Sequence, residues 1–383
     1  MKKICVVTGT RAEYGFSRNL LRGLQDDEAL ELQLVVTGTH LCKEYGNTVE
    51  DIHKDKISIT KEINIINKDN FNMGMEAGTL VVELSKFFEE HSPDIVILNG
   101  DRYEILAAAM AATLCNIPIG HISGGEITEG AIDEQIRHSV TKLAHIHFPG
   151  AKVYADNIQN MGEESWRIFN VGDPGIENIK TTPLYTQEQL YEDLGIKVDE
   201  ETLLVTYHPV TLERECLEEQ IDNLLNALTE VNKKMIITYP NSDEGSAYII
   251  DRLEEYVKDK VQIKLVKNLG IQRYLSVMKL CGAVIGNSSS ALVEAPYLKV
   301  PVVNIGNRQK GRLMADNIIN CDNKSESIVS AINKALSPEF REYVKYETKS
   351  LYGEGETSKE IIKVLKQLEV NERLMKKKLI WSK

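Results

Sequence analysis

The chain has 383 residues, 42% of them apolar and 27% charged, with a formal net charge of −12. That length suits two domains with ordinary cores. The acidic balance and the 6% aromatic share exclude a broad nucleic-acid-binding face, leaving at most a small basic pocket for phosphates.

Short apolar runs alternate with amphipathic segments from the start. KICVVT (3–8) reads as a buried parallel strand. TGTRAEYG reads as the loop after it, and Ser17–Leu24 as a helix. LQLVVTG is a second strand. GTLVVELSKFFEEHSP is a helix that Pro93 ends. DIVILNGDR is a third strand, ILAAAMAATLCN an alanine-rich helix and IPIGHISGG another strand; AHIHFPG and RIFNVGDPG finish the first half. The alternation resumes near residue 200 with strands in TLLVTYHP, KKMIITYP, VQIKLVK, GAVIGNSSS and VPVVNIG, and with helices at Leu217–Val231 and Ile271–Leu280. Strand–helix alternation in two halves predicts two doubly wound parallel sheets. The stretch 172–187, rich in Gly, Pro and Thr, marks the boundary. We expect domains at 1–175 and 176–355, then a helical tail, 356–383, whose basic run at 376–378 is a solvated helix end.

None of the cysteines (Cys5, Cys42, Cys115, Cys216, Cys281, Cys321) forms a CxxC pair, and Cys5 and Cys115 lie in apolar segments. We expect reduced core thiols in a cytoplasmic protein without signal peptide or membrane span, and neither cofactor nor metal.

Ligands of open α/β sheets bind beyond the carboxyl ends of the strands, and the chemistry-bearing residues cluster there. After the first strand comes Thr8-Gly9-Thr10-Arg11, where Arg11 can clamp a phosphate; the dinucleotide pattern GxGxxG is absent. Gly100-Asp101-Arg102 follows the third strand, and Asp101 suits either a base or a helix N-cap. The densest cluster is His121-Ile-Ser123-Gly-Gly-Glu126 with Asp133, Glu134, Arg137 and His138. Glu134 and His138 are spaced i, i+4, as are Asp133 and Arg137, which also suits surface pairing. Paired carboxylates can take and return a proton at a sugar carbon. His208, in Tyr207-His208-Pro209-Val210-Thr211, can protonate a leaving phosphate. Asn287-Ser288-Ser289-Ser290 opens a helix and reads as a phosphate cradle, with Glu294 one turn in for ribose hydroxyls. Arg308, Lys310 and Arg312 bring positive charge after the last strand.

This ordered set, TGTRAEYG, GDRYE, HISGGE, IDEQIRH, YHPVT, GNSSS and NRQKGR, resembles the UDP-N-acetylglucosamine 2-epimerase family, and specifically its hydrolysing branch in bacterial sialic-acid-type sugar synthesis. The resemblance spans almost the whole chain. It implies a GT-B fold: two Rossmann-like domains flanking a cleft, UDP held mainly by the second, and a C-terminal helix returning to the first. It implies UDP contacts at Arg11, Arg102, His208, Asn287, Ser288, Ser289, Ser290, Glu294 and Arg308. Catalytic roles fall to Asp101, Asp133, Glu134 and His208. Many relatives carry a glutamate where this chain has Ser123, and Glu126 is the nearest substitute. The implied reaction removes UDP from UDP-N-acetylglucosamine, or from UDP-2,4-diacetamido-2,4,6-trideoxyglucose, giving a 2-acetamidoglycal. Hydration then yields the free 2-epimer for sialic or legionaminic acid synthesis. The alternatives are a non-hydrolysing epimerase, a GT-B glycosyltransferase and a non-catalytic nucleotide-sugar-binding protein. We expect a homodimer or homotetramer with no nucleic-acid or membrane partner.

Overall fold

The computed structural model describes residues 1–42, 47–66, 72–127, 132–210, 216–240 and 245–381. They form two compact units, one of Met1–Asn178 with Tyr352–Lys383, the other of Ile179–Leu351.

The first unit runs β1 (Lys2–Thr8), α1 (Arg11–Asp26), β2 (Leu30–Thr37), α2 (Val49–Lys54), β3 (Lys61–Ile63), α3 (Met73–His91), β4 (Ile95–Asn99), α4 (Tyr103–Leu114), β5 (Ile119–Ile122), α5 (Ile132–Leu143), β6 (Ile146–Phe148), α6 (Lys152–Asn160) and α7 (Pro174–Thr181). Its sheet is parallel in the order β3-β2-β1-β4-β5-β6. The β-branched runs of β1, β2 and β4 are buried on both faces, as parallel strands under helices must be. On one face α3 and α4 pack on Val7, Val96 and Leu98, and Ala107, Ala108, Ala109, Ala111 and Ala112 give α4 no bulk to hold it off its neighbours. On the other face α1 covers Ile4, Val6 and Val36.

The second unit runs α8 (Gln187–Leu194), β7 (Thr202–Thr206), α9 (Leu217–Val231), β8 (Lys234–Thr238), α10 (Ser246–Tyr256), β9 (Ile263–Val266), α11 (Gly270–Leu280), β10 (Ala283–Gly286), α12 (Ser290–Leu298), β11 (Val302–Ile305), β12 (Ile318–Cys321), α13 (Ser325–Ala335) and α14 (Pro338–Tyr346). Its parallel sheet is ordered β12-β11-β10-β7-β8-β9. Counted from β7, that is the first unit's order again. Each sheet therefore changes direction at one place, beside β1 and β4 in the first unit and beside β7 and β10 in the second. The carboxyl edge at such a switch point is where this architecture binds ligands.

Several local expectations change. The first helix starts at Arg11, capped by the Thr10 hydroxyl, so the loop after β1 is only two residues long. The short strands β3 and β12 were not anticipated. All six cysteines are free; Cys5 is buried, Cys115 only partly so.

The chain's last segment, α15 (Thr357–Gln367) and α16 (Glu372–Met375), belongs to the first unit. α15 lies so close on α1 that a Cβ at Gly23 would stand 2.5 Å from Ile362 Cδ1. The tail beyond is anchored: in the basic run Lys376 and Lys378 face solvent as expected of a helix end, but Lys377 turns inward. The buried Arg167 donates to the carbonyls of Leu374 (2.8 Å), Arg373 (3.0 Å) and Lys376 (3.2 Å), and pairs with Glu164 at 2.8 Å. Lys377 reaches 2.9 Å from the buried carboxylate of Glu163. Burial works to raise Glu163, but hydrogen bonds from His147, Lys142 and Lys377 overcome it and bring the group to about 2. No helix among the described residues is long and apolar enough to cross a membrane.

Replacing Arg167 leaves the buried carbonyls of Leu374 and His145 without this donor, at about 1–3 kcal/mol for each group. Arg167→Met therefore lowers stability in urea denaturation by about 3 kcal/mol or more. A loss below about 1 kcal/mol would show that the tail is not held in this way.

Candidate active site

In the first unit the site is assembled around the Arg137 guanidinium, 3% exposed, on α5. Its Nε donates to Asp101 Oδ2 at 3.0 Å, and Nη2 contacts the same oxygen. Its Nη1 donates to Glu134 Oε2 at 2.9 Å and to the Glu126 carbonyl at 3.0 Å. One fork thus ties the loop after β4, the loop after β5 and the start of α5. Planar, rigid and permanently charged, Arg suits this better than Lys. Glu134 Oε1 also meets His138 Nε2 at 3.0 Å, as the i, i+4 spacing suggested. The expected Asp133–Arg137 surface pair gives way: Arg137 is buried, and its ion pairs are with Asp101 and Glu134. Asp101 is not the helix cap either, since Arg102 occupies that position.

Asp133 is near enough to feel these charges. Burial and the Asp101 charge raise its carboxyl above the ordinary value, against the pull of Arg102 and Arg137. Beneath Asp101, the wholly buried His121 bonds to the Gly100 carbonyl through Nε2 at 2.9 Å and to Thr141 through Nδ1 at 3.2 Å. Burial drives its imidazole down to about 3, so it is neutral, and Nε2 donates the proton. Ser123 sits at φ +63°, its hydroxyl 3.4 Å from Asn99 Oδ1. It has no ionisable group, so it cannot serve as an acid. Gly125, at φ +79°, leaves no room for a side chain, since a Cβ would lie 2.4 Å from the Tyr154 carbonyl. Arg11 is well exposed and faces Asp51 at 3.7 Å.

Sequence reasoning passed over three groups here. Arg137 entered only as a surface partner, and Glu13 and Glu104 were not singled out. Yet Glu104 is completely buried and Glu13 nearly so, and buried carboxylates at the strand ends of such a sheet mark candidate functional ground.

In the second unit Asn287 is the organiser. Its Oδ1 accepts the His208 N–H at 2.7 Å, and its Nδ2 donates to the His208 carbonyl at 2.9 Å. Its own carbonyl accepts from Arg308 Nη1 at 3.1 Å and Gln309 Nε2 at 2.8 Å. The ends of β7, β10 and β11 are thereby locked together. The approach requires Gly286, where a Cβ would stand 1.9 Å from the Thr206 carbonyl. Ser289 is the N-cap of α12, with Ser288 before it, Ser290 first in the helix and Glu294 one turn in. The Ser289 hydroxyl makes no capping bond, so the helix start presents main-chain amides of the kind that bind phosphate. Burial raises the Tyr274 phenol beside Ser290 and Glu294 to about 12. Thr211 lies outside the described residues.

A family model described as UDP-N-acetylglucosamine 2-epimerase matches residues 22–366. The GDP/UDP-N,N'-diacetylbacillosamine 2-epimerase (hydrolyzing) of Campylobacter jejuni is 41% identical over 345 residues, covering 89% of each chain. The UDP-N,N'-diacetylbacillosamine 2-epimerase (hydrolyzing) of Legionella pneumophila is 34% identical over 379 residues, covering 98% of this chain and 99% of the relative. Among solved structures, the UDP-GlcNAc 2-epimerase of Neisseria meningitidis bound to UDP-GlcNAc superposes with a TM-score of 0.78 at 19% identity, covering 96% of this chain and all of that one. With Rossmann-type order in both sheets, and a match along nine-tenths of its length to hydrolysing relatives, the chain belongs to the UDP-N-acetylglucosamine 2-epimerase family.

Proposed function

We propose that the chain is a hydrolysing UDP-sugar 2-epimerase. The observation that carries the reading is the pair Asp101 and Asp133: two neighbouring carboxyls in contrasting surroundings, one ion-paired to a buried guanidinium, the other raised by burial and by its neighbour's charge. A carboxyl raised in this way beside an ion-paired carboxylate suits the acid and the base of one reaction.

In this mechanism Asp101 enters as the carboxylate of an ion pair and takes the proton from C2. The C1–O bond breaks, its electron pair leaves with UDP, and a 2-acetamidoglycal remains. Water then adds at C1, and the carboxyl of Asp133 returns a proton to C2 from the opposite face. The sum is UDP-sugar plus water giving UDP and the free 2-epimer. Glu134 holds Arg137 in register, and Glu126 stands in for the glutamate that Ser123 replaces. A C2 proton is weakly acidic, so the leaving diphosphate needs strong stabilisation. The amides and hydroxyls of Ser288, Ser289 and Ser290 with Arg308 and His208 supply it in the second unit, where Glu294 takes the ribose hydroxyls and Asn287 holds the group in place. In the first unit Arg11 and Arg102 are the candidates for UDP contact.

The substrate we assign is UDP-2,4-diacetamido-2,4,6-trideoxyglucose, ahead of UDP-N-acetylglucosamine. It is the diacetylbacillosamine sugar named for the Campylobacter and Legionella relatives. The product then feeds synthesis of a legionaminic- or sialic-type acid in the cytoplasm. Exposed Met75 and Val82 on α3 and Met110 and Leu114 on the neighbouring α4 suit a homo-oligomer.

An NMR time course with both UDP-sugars in D₂O should show one UDP released per sugar and deuterium at C2 of a free 2-epimer. A UDP-linked 2-epimer instead would establish the non-hydrolysing reaction. Asp133→Asn is expected to lower kcat about 100-fold or more, as loss of an acid–base group does, while UDP affinity stays within about threefold; equal loss of both would remove Asp133 from proton transfer. Because the folded-state value of Asp133 is raised, its protonated form persists to higher pH, and turnover that depends on it declines as pH rises through that value. Glu126→Gln should likewise be severely impaired in kcat. Arg137→Met strands Asp101 and Glu134 and costs about 3–5 kcal/mol in urea denaturation; a near-neutral result would contradict the organising role given to Arg137.

A further inference from the structure

Three charged residues from two motifs, Glu13 after β1 and Arg102 with Glu104 after β4, meet at the switch point of the first sheet. Arg102, at the start of α4, forks onto Glu104, with Nε 3.2 Å from Oε2 and Nη2 3.2 Å from Oε1. The same Nε lies 4.0 Å from Glu13 Oε1. Glu13 Oε2 accepts the Gly9 N–H at 2.7 Å, while Oε1 makes no hydrogen bond among the described residues. The backbone is cut to fit this group. A Cβ at Gly9 would stand 3.1–3.3 Å from the Glu104 side chain, and one at Gly38, which is at φ +59°, would meet Glu104 Oε1 at 3.0 Å and the Gly9 carbonyl at 2.6 Å. Glu104 is fully buried and Glu13 nearly so, whereas the Arg102 side chain is 42% exposed.

We propose that Glu13 and Glu104 are positioning residues for Arg102: Glu104 aims the guanidinium at the anionic substrate, and a proton on Glu13 keeps the cluster from becoming net negative there. The inference rests on the reading of this chain as a UDP-sugar enzyme.

The charges count simply. With Glu13 protonated the cluster is neutral, Arg102 balancing Glu104. With Glu13 ionised it carries one negative charge around the guanidinium that this proposal gives to the anionic substrate. Burial, then the Glu104 charge, raises Glu13 to about 8, against the Gly9 N–H, Arg102 and the Thr10 N–H. The other groups packed around it do not titrate in that range. Burial holds His40 neutral, at about 4, between Thr8 and Thr48. Tyr103 is pushed up by burial and by its bond to Glu76. Arg11 points outward to Asp51. The folded-state value of Glu13 lies above its ordinary one. The stability gained from its protonated form is therefore lost as pH rises towards about 8.

The test is calorimetric titration of UDP into the full chain between pH 7 and 9. Wild type should lose affinity about tenfold across that range, the size expected for one partly screened charge near the ligand. Glu13→Gln should bind as wild type does at pH 7 and show no such slope. Glu104→Gln and Arg102→Met should bind about tenfold more weakly throughout, because the guanidinium is mis-aimed or missing. A purely structural Glu13 would change the melting temperature of Glu13→Gln but leave its pH slope like wild type, and that result overturns the inference. Should Glu104→Gln fail to fold, the Glu13→Gln slope alone decides. If wild type turns over UDP-sugar while Glu13→Gln keeps the slope, only this inference fails. Wild type that neither binds UDP nor turns over either UDP-sugar overturns the functional reading and this inference with it.

Discussion

The first unit's chemistry hangs on one buried guanidinium. Arg137 brings positive charge into a place where Asp101, Glu134 and Asp133 would otherwise repel one another. A buried charge is tolerable only when paired and hydrogen-bonded, and Arg137 meets that condition on every nitrogen. Its partners come from loops after two adjacent strands and from the helix that follows. The geometry of the carboxylates is therefore set by the sheet, not by flexible loops. His121 supports the same loop from below with an uncharged ring, adding direction without adding charge.

The second unit solves a different problem by different means. Anion binding asks for main-chain amides and a positive side chain held still. Asn287, an uncharged residue, holds them through bonds to His208 and through its carbonyl, on which Arg308 and Gln309 converge. Gly286 makes this possible, because its lack of a side chain lets β10 pass against the Thr206 carbonyl. Both units share a strand order, and in both a working residue follows a strand of the pair where that order reverses: Asp101 after β4, His208 and Asn287 after β7 and β10.

The parallel sheets were legible because buried strands are nearly continuous apolar runs, as KICVVT and DIVILNG are. Strands β3 and β12 were not, for they are short edge strands with polar residues: KEI and IINC carry no such run. The helix beginning at Arg11 hid behind Gly9 and Gly15, which read as loop, although Thr10 is an ordinary capping residue. The positions of Asp101, Glu126, Asp133, His208 and Ser288–Ser290 at strand ends and helix starts could be read from order along the chain. Their partners could not. Arg137 and Asp101 are 36 residues apart, and no local spacing reports such a pair; the i, i+4 rule pointed to Asp133 instead. Glu13, Glu104 and Lys377 escaped for the opposite reason, since charged residues in helices and basic runs ordinarily face water.

The tie between the tail and Arg167 bears on how the chain is made. The second unit is one continuous stretch, Ile179–Leu351, and all of it leaves the ribosome before the tail does. The first unit is built from two stretches that lie on either side of the second in sequence, Met1–Asn178 and Tyr352–Lys383. It cannot bury Leu365 and Leu374, or fill the carbonyl-lined seat of Arg167, until residues 365–376 have been translated. The first unit, begun before the second, is thus completed after it, and while the ribosome reads the second unit a nascent first unit stands with an apolar flank of its core open to water. Chains in that condition are the ones chaperones hold.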